Sequence, residues 1–160
     1  MFRLAVTTAL FLGAALPAGA QNVAFGGIKA DTSLPVELSA ENLSVNQASG
    51  EAVFTGNVVI AQGEMKLQAP EVTVVYVEGG QQRIKSLRAT GGVVLVSGTD
   101  AAEAAEAVYD VATGVVDLVG DVVLTQGQNV LTGDKMKVRL ADGTAEVQGR
   151  VRSVLQPEGN

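Results

Sequence analysis

The sequence predicts an all-β fold of about 14–16 short antiparallel strands in four units of 29 residues, and three observations predict it. One short phrase recurs, as TGNVVIAQG (55–63), TGGVVLVSG (90–98), VGDVVLTQG (119–127) and, worn, QGRVRSVLQ (148–156). Apolar and polar side chains alternate with period two, which a strand with one buried face requires and a helix would scramble. Glycines punctuate the pattern at constant offsets and mark turns.

The chain begins with MFR, an apolar run LAVTTALFLGAALP, and AGA before Gln21. That order describes a secretory leader cleaved after Ala20. A membrane anchor is the alternative, but the apolar run falls short of the roughly 20 residues that a bilayer needs. Residues 21–34 are expected to be a flexible N-terminal segment, 35–156 the folded domain, and 157–160 a tail.

Within the domain, Gly56, Gly91, Gly120 and Gly149 align at spacings of 35, 29 and 29. A second landmark, a small residue at 40, 69, 104 and 133, repeats at 29, 35 and 29. The surplus of six residues falls in VEGGQQ (77–82), read as one lengthened hairpin. Turn glycines at 50, 114 and 143 precede the landmark glycines by six residues, and those at 63, 98 and 127 follow them by seven.

Between turns one column reads Ala52, Phe54, Gly56, Val58, Ile60, while Glu51, Thr55 and Asn57 form the opposite column. The apolar phase slips by one residue at each small landmark, from Met65, Leu67, Ala69 to Val72, Val74, Tyr76. It slips likewise from Leu131, Gly133 to Met136, Val138, Leu140. A one-residue slip turns a column outward unless a bulge or bend absorbs it, so each strand is expected to fold over its midpoint. The central glycines suggest a second crease. Creased strands in register wrap a sheet around a lengthwise apolar channel. The stretch TDAAEAAEAVYDV (99–111) is rich in helix formers, yet Ala107, Tyr109 and Val111 keep the strand column. It is read as a strand with a short helical turn ahead of it.

Composition excludes several functions. The chain has a net charge of −6, and the mature part, with 10 basic and 17 acidic residues after loss of Arg3, carries −7, which argues against nucleic acid as a partner. No cysteine or histidine is present, which removes thiolate nucleophiles, imidazole bases and their metal sites. No acidic pair is set out as an acid/base constellation. No catalytic residue, metal or cofactor is expected.

The candidate channel lining is Leu43, Val45, Phe54, Val58, Ile60, Met65, Leu67, Val72, Val74, Tyr76, Leu87, Val93, Leu95, Leu118, Val122, Leu124, Met136 and Val138. The same columns would serve equally as plain core. With 4% aromatic residues, the inward face is also consistent with an interior that does not fill itself. Arg83, Lys85 and Arg88 are candidates for phosphate contacts, or simply the wet face of a strand. An open array leaves two bare edges, at Val36, Glu37, Leu38 and at Val151, Arg152, Ser153, Val154. Such edges invite strand addition, unless Pro35 and Pro157 blunt them.

The stretch VELSAENLSVNQASGEAVFTGNVVIAQGEMKLQAPEVTVVY (36–76) resembles the OstA-like family. The pattern runs from Ala40-Glu41-Asn42-Leu43 through a glycine turn to Gly56-Asn57-Val58, and then to a small residue before an acidic one. The resemblance extends over most of 35–156 and is weakest in the alanine-rich third unit. It implies a folded-over β-jellyroll, or β-taco, whose interior holds the acyl chains of lipopolysaccharide in the periplasm. It implies end-to-end docking as well, with an inner-membrane OstA-like partner of the LptC type at the N-terminal edge. At the C-terminal edge it implies an outer-membrane translocon of the LptD type or a second copy, the latter giving a head-to-tail homo-oligomer. The cleavable leader sets the chain apart from the membrane-anchored relative, and its length from the translocon with its barrel. A structural β-repeat module without ligand and a carrier of another lipid remain open alternatives.

Overall fold

A computed structural model describes residues 27–157 as strands and turns, with no helix among them. The expected leader, residues 21–26 and residues 158–160 lie outside the described residues. The strands are β1 (Glu37–Ser39), β2 (Asn42–Asn46), β3 (Glu51–Gln62), β4 (Met65–Val77) and β5 (Gly80–Ser97). They continue with β6 (Asp100–Asp110), β7 (Val115–Gln126), β8 (Asn129–Arg139), β9 (Thr144–Gln148) and β10 (Arg152–Val154). All pair antiparallel in one sheet of order β1-β3-β4-β5-β6-β7-β8-β10, with β2 also on β3 and β9 also on β8.

The sheet is folded along a single line. Mid-strand register shifts fall between Thr55 and Val58, Gln68 and Glu71, Thr90 and Val93, Glu103 and Glu106, and Val119 and Val122, while two more, at Val75/Tyr76 and Tyr76/Val77, belong to the lengthened β4–β5 hairpin. Every long strand therefore has a lower arm and an upper arm, joined at its own bulge. The terminal strands complete the pattern: β2 pairs with the lower arm of β3 and β1 with its upper arm, while β9 and β10 do the same on β8.

The repeated glycines make this line possible. Gly56, Gly91, Gly120 and Gly149 have φ of 83°, 89°, 90° and 77°, a region costly to any residue with a Cβ. A Cβ would also crowd the adjacent segment: it would lie 2.9 Å from Glu41 Cβ, 3.1 Å from Pro70 Cγ, 2.8 Å from Ala105 Cβ and 2.8 Å from Asp134 Cβ, respectively. These four neighbours are the residues that follow the small landmarks. The two landmark series thus face each other across one crease, and the second crease expected from the glycines is not formed.

Two further expectations change. The 14–16 short strands are ten, because six of them pass through the bulge without losing strand geometry. Residues 100–110 are strand throughout, and no helical turn precedes them. Ala102, Ala104, Ala107 and Tyr109 are buried at alternating positions with the phase slip of the other units. Burial of that face across two neighbouring strands outweighs the helix propensity of alanine, worth only tenths of a kcal/mol per residue.

The folded sheet brings its two inner faces together. Val58, Ile60, Met65, Leu67, Val93, Leu95, Val122 and Leu124 on upper arms are at most 2% exposed. So are Val72, Val74, Leu87, Leu118, Met136 and Val138 on lower arms. They form one cluster, and each fully buried aliphatic side chain contributes roughly 1.5–3 kcal/mol.

Candidate functional site

The trough between the arms is built from the columns read in the sequence, and it differs along its length. Through β3 to β8 the facing columns meet and leave water no access, so the middle is a packed core. Exposure begins at the N-terminal end. Leu43 and Val45 on β2 are 56% and 62% exposed, while Phe54 and Tyr76 are partly buried against the cluster. Leu43 and Val45 therefore belong to an open end rather than to an enclosed lining. They lie bare because the lower arm's first strand has a partner on one side alone.

Both expected edges are terminal strands. Glu37 and Leu38 pair with Ala61 and Ile60, and Val36 and Leu38 pack partly against the core. Arg152, Ser153 and Val154 pair with Thr132, Leu131 and Val130, and Val151, Val154 and Leu155 are exposed at 52%, 51% and 66%. Each end thus offers backbone groups on its outer side next to exposed aliphatic side chains.

Arg83, Lys85 and Arg88 are exposed on the outer face of β5. Arg88 donates to Glu106 Oε2 at 2.9 Å, an ion pair in the wet column with little energetic weight. At the crease Arg150 donates to Asp134 Oδ1 and holds that carboxyl below the usual carboxylate range. Asn57 Nδ2 donates to Glu41 Oε1 at 2.6 Å in the corresponding place of the first unit.

The side opposite the crease is where the sequence reading missed residues. Residues 27–34, expected to be a flexible segment, run lengthwise between the two rows of turns. Ile28 and Ala30 are buried in the core cluster, at 4% and 8% exposure. Lys29 N donates to Ser97 Oγ (3.3 Å), Ser97 Oγ donates to Lys29 O (2.8 Å), and Ala30 N donates to Leu140 O (3.0 Å). Gln62 Nε2 donates to Leu34 O (2.9 Å), and Tyr109 Oη donates to Gln62 Oε1 (2.5 Å). Tyr109 lies on a lower arm and Gln62 on an upper one, so this pair ties the arms together. Burial raises the pKa of the Tyr109 phenol. No motif announces these contacts. Ile-Lys-Ala is too short an alternation to be read as structure, and its partners lie far away in sequence.

Residues 37–144 match the family described as LptA/(LptD N-terminal domain) LPS transport protein. The chain belongs to this family. Among similar proteins, an uncharacterised protein of Rhizobium meliloti is 29% identical over 174 residues, covering 99% of this chain and 94% of that protein. The lipopolysaccharide export system protein LptA of Escherichia coli K12 is 27% identical, covering 95% of this chain and 83% of that protein. The LPS-assembly protein LptD of Salmonella choleraesuis is 42% identical over 69 residues, which are 41% of this chain and 9% of that protein. The crystal structure of LptH from Pseudomonas aeruginosa, the LptA homologous periplasmic component of its lipopolysaccharide transport device, superposes with a TM-score of 0.69. That match covers 80% of this chain and 99% of LptH at 20% identity, and it shows a shared fold. The folded-over β-jellyroll of the LPS transport family is thus the architecture of this chain, with its crease, packed middle and two bare ends.

Proposed function

We propose that this protein is exported to the periplasm by its cleaved leader, holds lipopolysaccharide by its acyl chains between the two arms, and passes it towards the outer membrane. The observation that carries this reading is the continuous apolar column between the arms, running from bare Leu43 and Val45 on β2 to Leu131 and Val138 on β8. The names of the relatives, an export protein and an assembly protein for this lipid, agree with it.

Magnitudes favour the trough over the charged face. One acyl chain of roughly a dozen carbons offers up to about 10 kcal/mol of burial, whereas an exposed ion pair offers at most about 1 kcal/mol. The phosphates of the lipid stay in water, with Arg83 and Lys85 as local positive charge and Arg88 shared with Glu106. In this reading the β1–β2 end receives an inner-membrane partner of the LptC type. The β10 end meets the jellyroll of an LptD-type translocon or a second copy, by strand addition beside the exposed aliphatics.

Mass spectrometry of what copurifies with the protein from periplasm tests the proposal. Lipopolysaccharide is expected. A phospholipid in its place would make the protein a carrier of another lipid, and no amphiphile at all would make it a structural module.

A further inference from the structure

We propose that the lateral slot now filled by Ile28 and Ala30 is an entry site for an acyl chain, and that residues 27–34 are a strap that the incoming chain displaces. This rests on the lipid-holding reading above. A saturated chain needs volume, and the inner columns of the middle named above are buried against one another at 2% exposure or less. Something that contributes side chains to the core must therefore move.

The strap is the part least bound to the rest. The remaining cluster lies in strands, or in Leu140 one residue beyond β8, and is fixed by ladders on neighbouring arms. Residues 27–34 pair with no strand. They are held through the Ser97 hydroxyl, Leu140 O and the Gln62 amide. Its inserted groups are a branched butyl and a methyl, so an acyl chain replaces them with hydrocarbon in kind.

Polar chemistry marks the same slot. The buried polar side chains among the described residues are Gln62, Ser97 and Asp100, and all three stand at upper-arm turns beside the strap. Asp100 accepts from Gln126 Nε2 at 2.7 Å, and Gln62 from Tyr109. Buried groups of this kind are costly inside a core unless paired. At the rim of a slot that opens they are wetted instead. A row of polar rim residues above an apolar floor suits an amphiphile entering from the side.

The chain has no cysteine, so a designed crosslink is unambiguous. A Cβ placed at Gly114 would lie 3.9 Å from Thr32 Cβ, within the separation a disulfide spans. The test is the full mature chain carrying Thr32→Cys and Gly114→Cys, oxidised after folding and titrated with fluorescently labelled lipopolysaccharide. Gly114→Ser supplies the same backbone strain without the bond. Apparent affinity scales with the fraction of molecules whose slot is open, so the oxidised protein is expected to bind about tenfold more weakly or worse, with reductant restoring it. Equal binding by the oxidised and reduced forms would overturn the strap and leave the lipid reading standing. Failure of the wild-type chain to bind would overturn both. Ile28→Ala provides a second arm that needs no crosslink. Loosening the plug should raise apparent affinity several-fold, whereas unchanged or weaker binding would mean that Ile28 is core and nothing more.

Discussion

The crease and the mouth are the two long sides of one folded sheet, and they are held by opposite means. At the crease the same solution is written into every unit: a glycine with φ near 80–90° sits where a Cβ would crowd the adjacent segment. At the mouth the turns repeat, but the contacts that cross it do not. One tyrosine meets one glutamine, one serine meets one backbone carbonyl, and a single segment crosses the gap. The difference teaches that folding the sheet is a local, periodic property, while shutting it is a set of unique long-range contacts.

Mutations at the two sides should separate these roles. The largest effect is expected for Gly120→Val at the crease, which meets both the unfavourable φ of 90° and Ala105 Cβ at 2.8 Å. Backbone strain and overpacking together should cost about 4 kcal/mol, read as a lower denaturant midpoint at unchanged slope. Next comes Gln62→Ala at the mouth. It leaves the Tyr109 hydroxyl buried without a partner and frees Leu34 O, for a loss of about 2 kcal/mol. Hydrogen exchange should rise at residues 28–34 while the crease stays protected, and uniform loss of protection would contradict the division.

Tyr109→Phe removes the hydroxyl and leaves the ring, so about 1 kcal/mol is expected. It also alters the pH profile. The folded phenol is raised above 10.0 by burial, so above that pH the unfolded chain gives up its proton first, and stability falls as pH rises. The phenylalanine variant should lose that alkaline decline.

Smaller still is Gly98→Ala at an upper turn, where φ is 58° but nothing lies within 4 Å of the added methyl. About 1 kcal/mol is expected, and equality with Gly120→Val would deny the crease its steric role. The smallest effect belongs to acid. Asp110, hydrogen-bonded by the backbone of Thr113, and Asp134, bonded by Arg150, have folded pKa values below 3.8. Their stabilisation is complete above 3.8 and is lost as pH falls from there through the lowered folded values. Asp110→Asn should shallow that acid limb slightly in a pH series of denaturant midpoints.

Much of the trough was legible in the sequence because strand burial has a period of two and each unit repeats the message. The slip from Ala69 to Val72 marked the bulge, and the columns through Val58, Leu95, Leu118 and Met136 are inward as read. The reading failed where a decision depended on what lay across the fold. It placed Leu43 and Val45 with the enclosed columns, since their alternation is the same as that of buried neighbours and only the lack of a flanking strand exposes them. It made two creases of one, since facing landmarks on adjacent strands are separated by 13 to 22 residues in the chain.

The amino-acid order alone determined the strands, their turns, the inward columns and the positions at which each strand must bend, because these follow from φ preferences and alternation within a few residues. Only the tertiary structure decided that the bends align on one line, that the middle packs shut and the ends stay bare, and that residues 27–34 lie across the mouth. Those outcomes depend on which side chains meet between arms, a matter of contact at a distance that no short stretch of sequence contains.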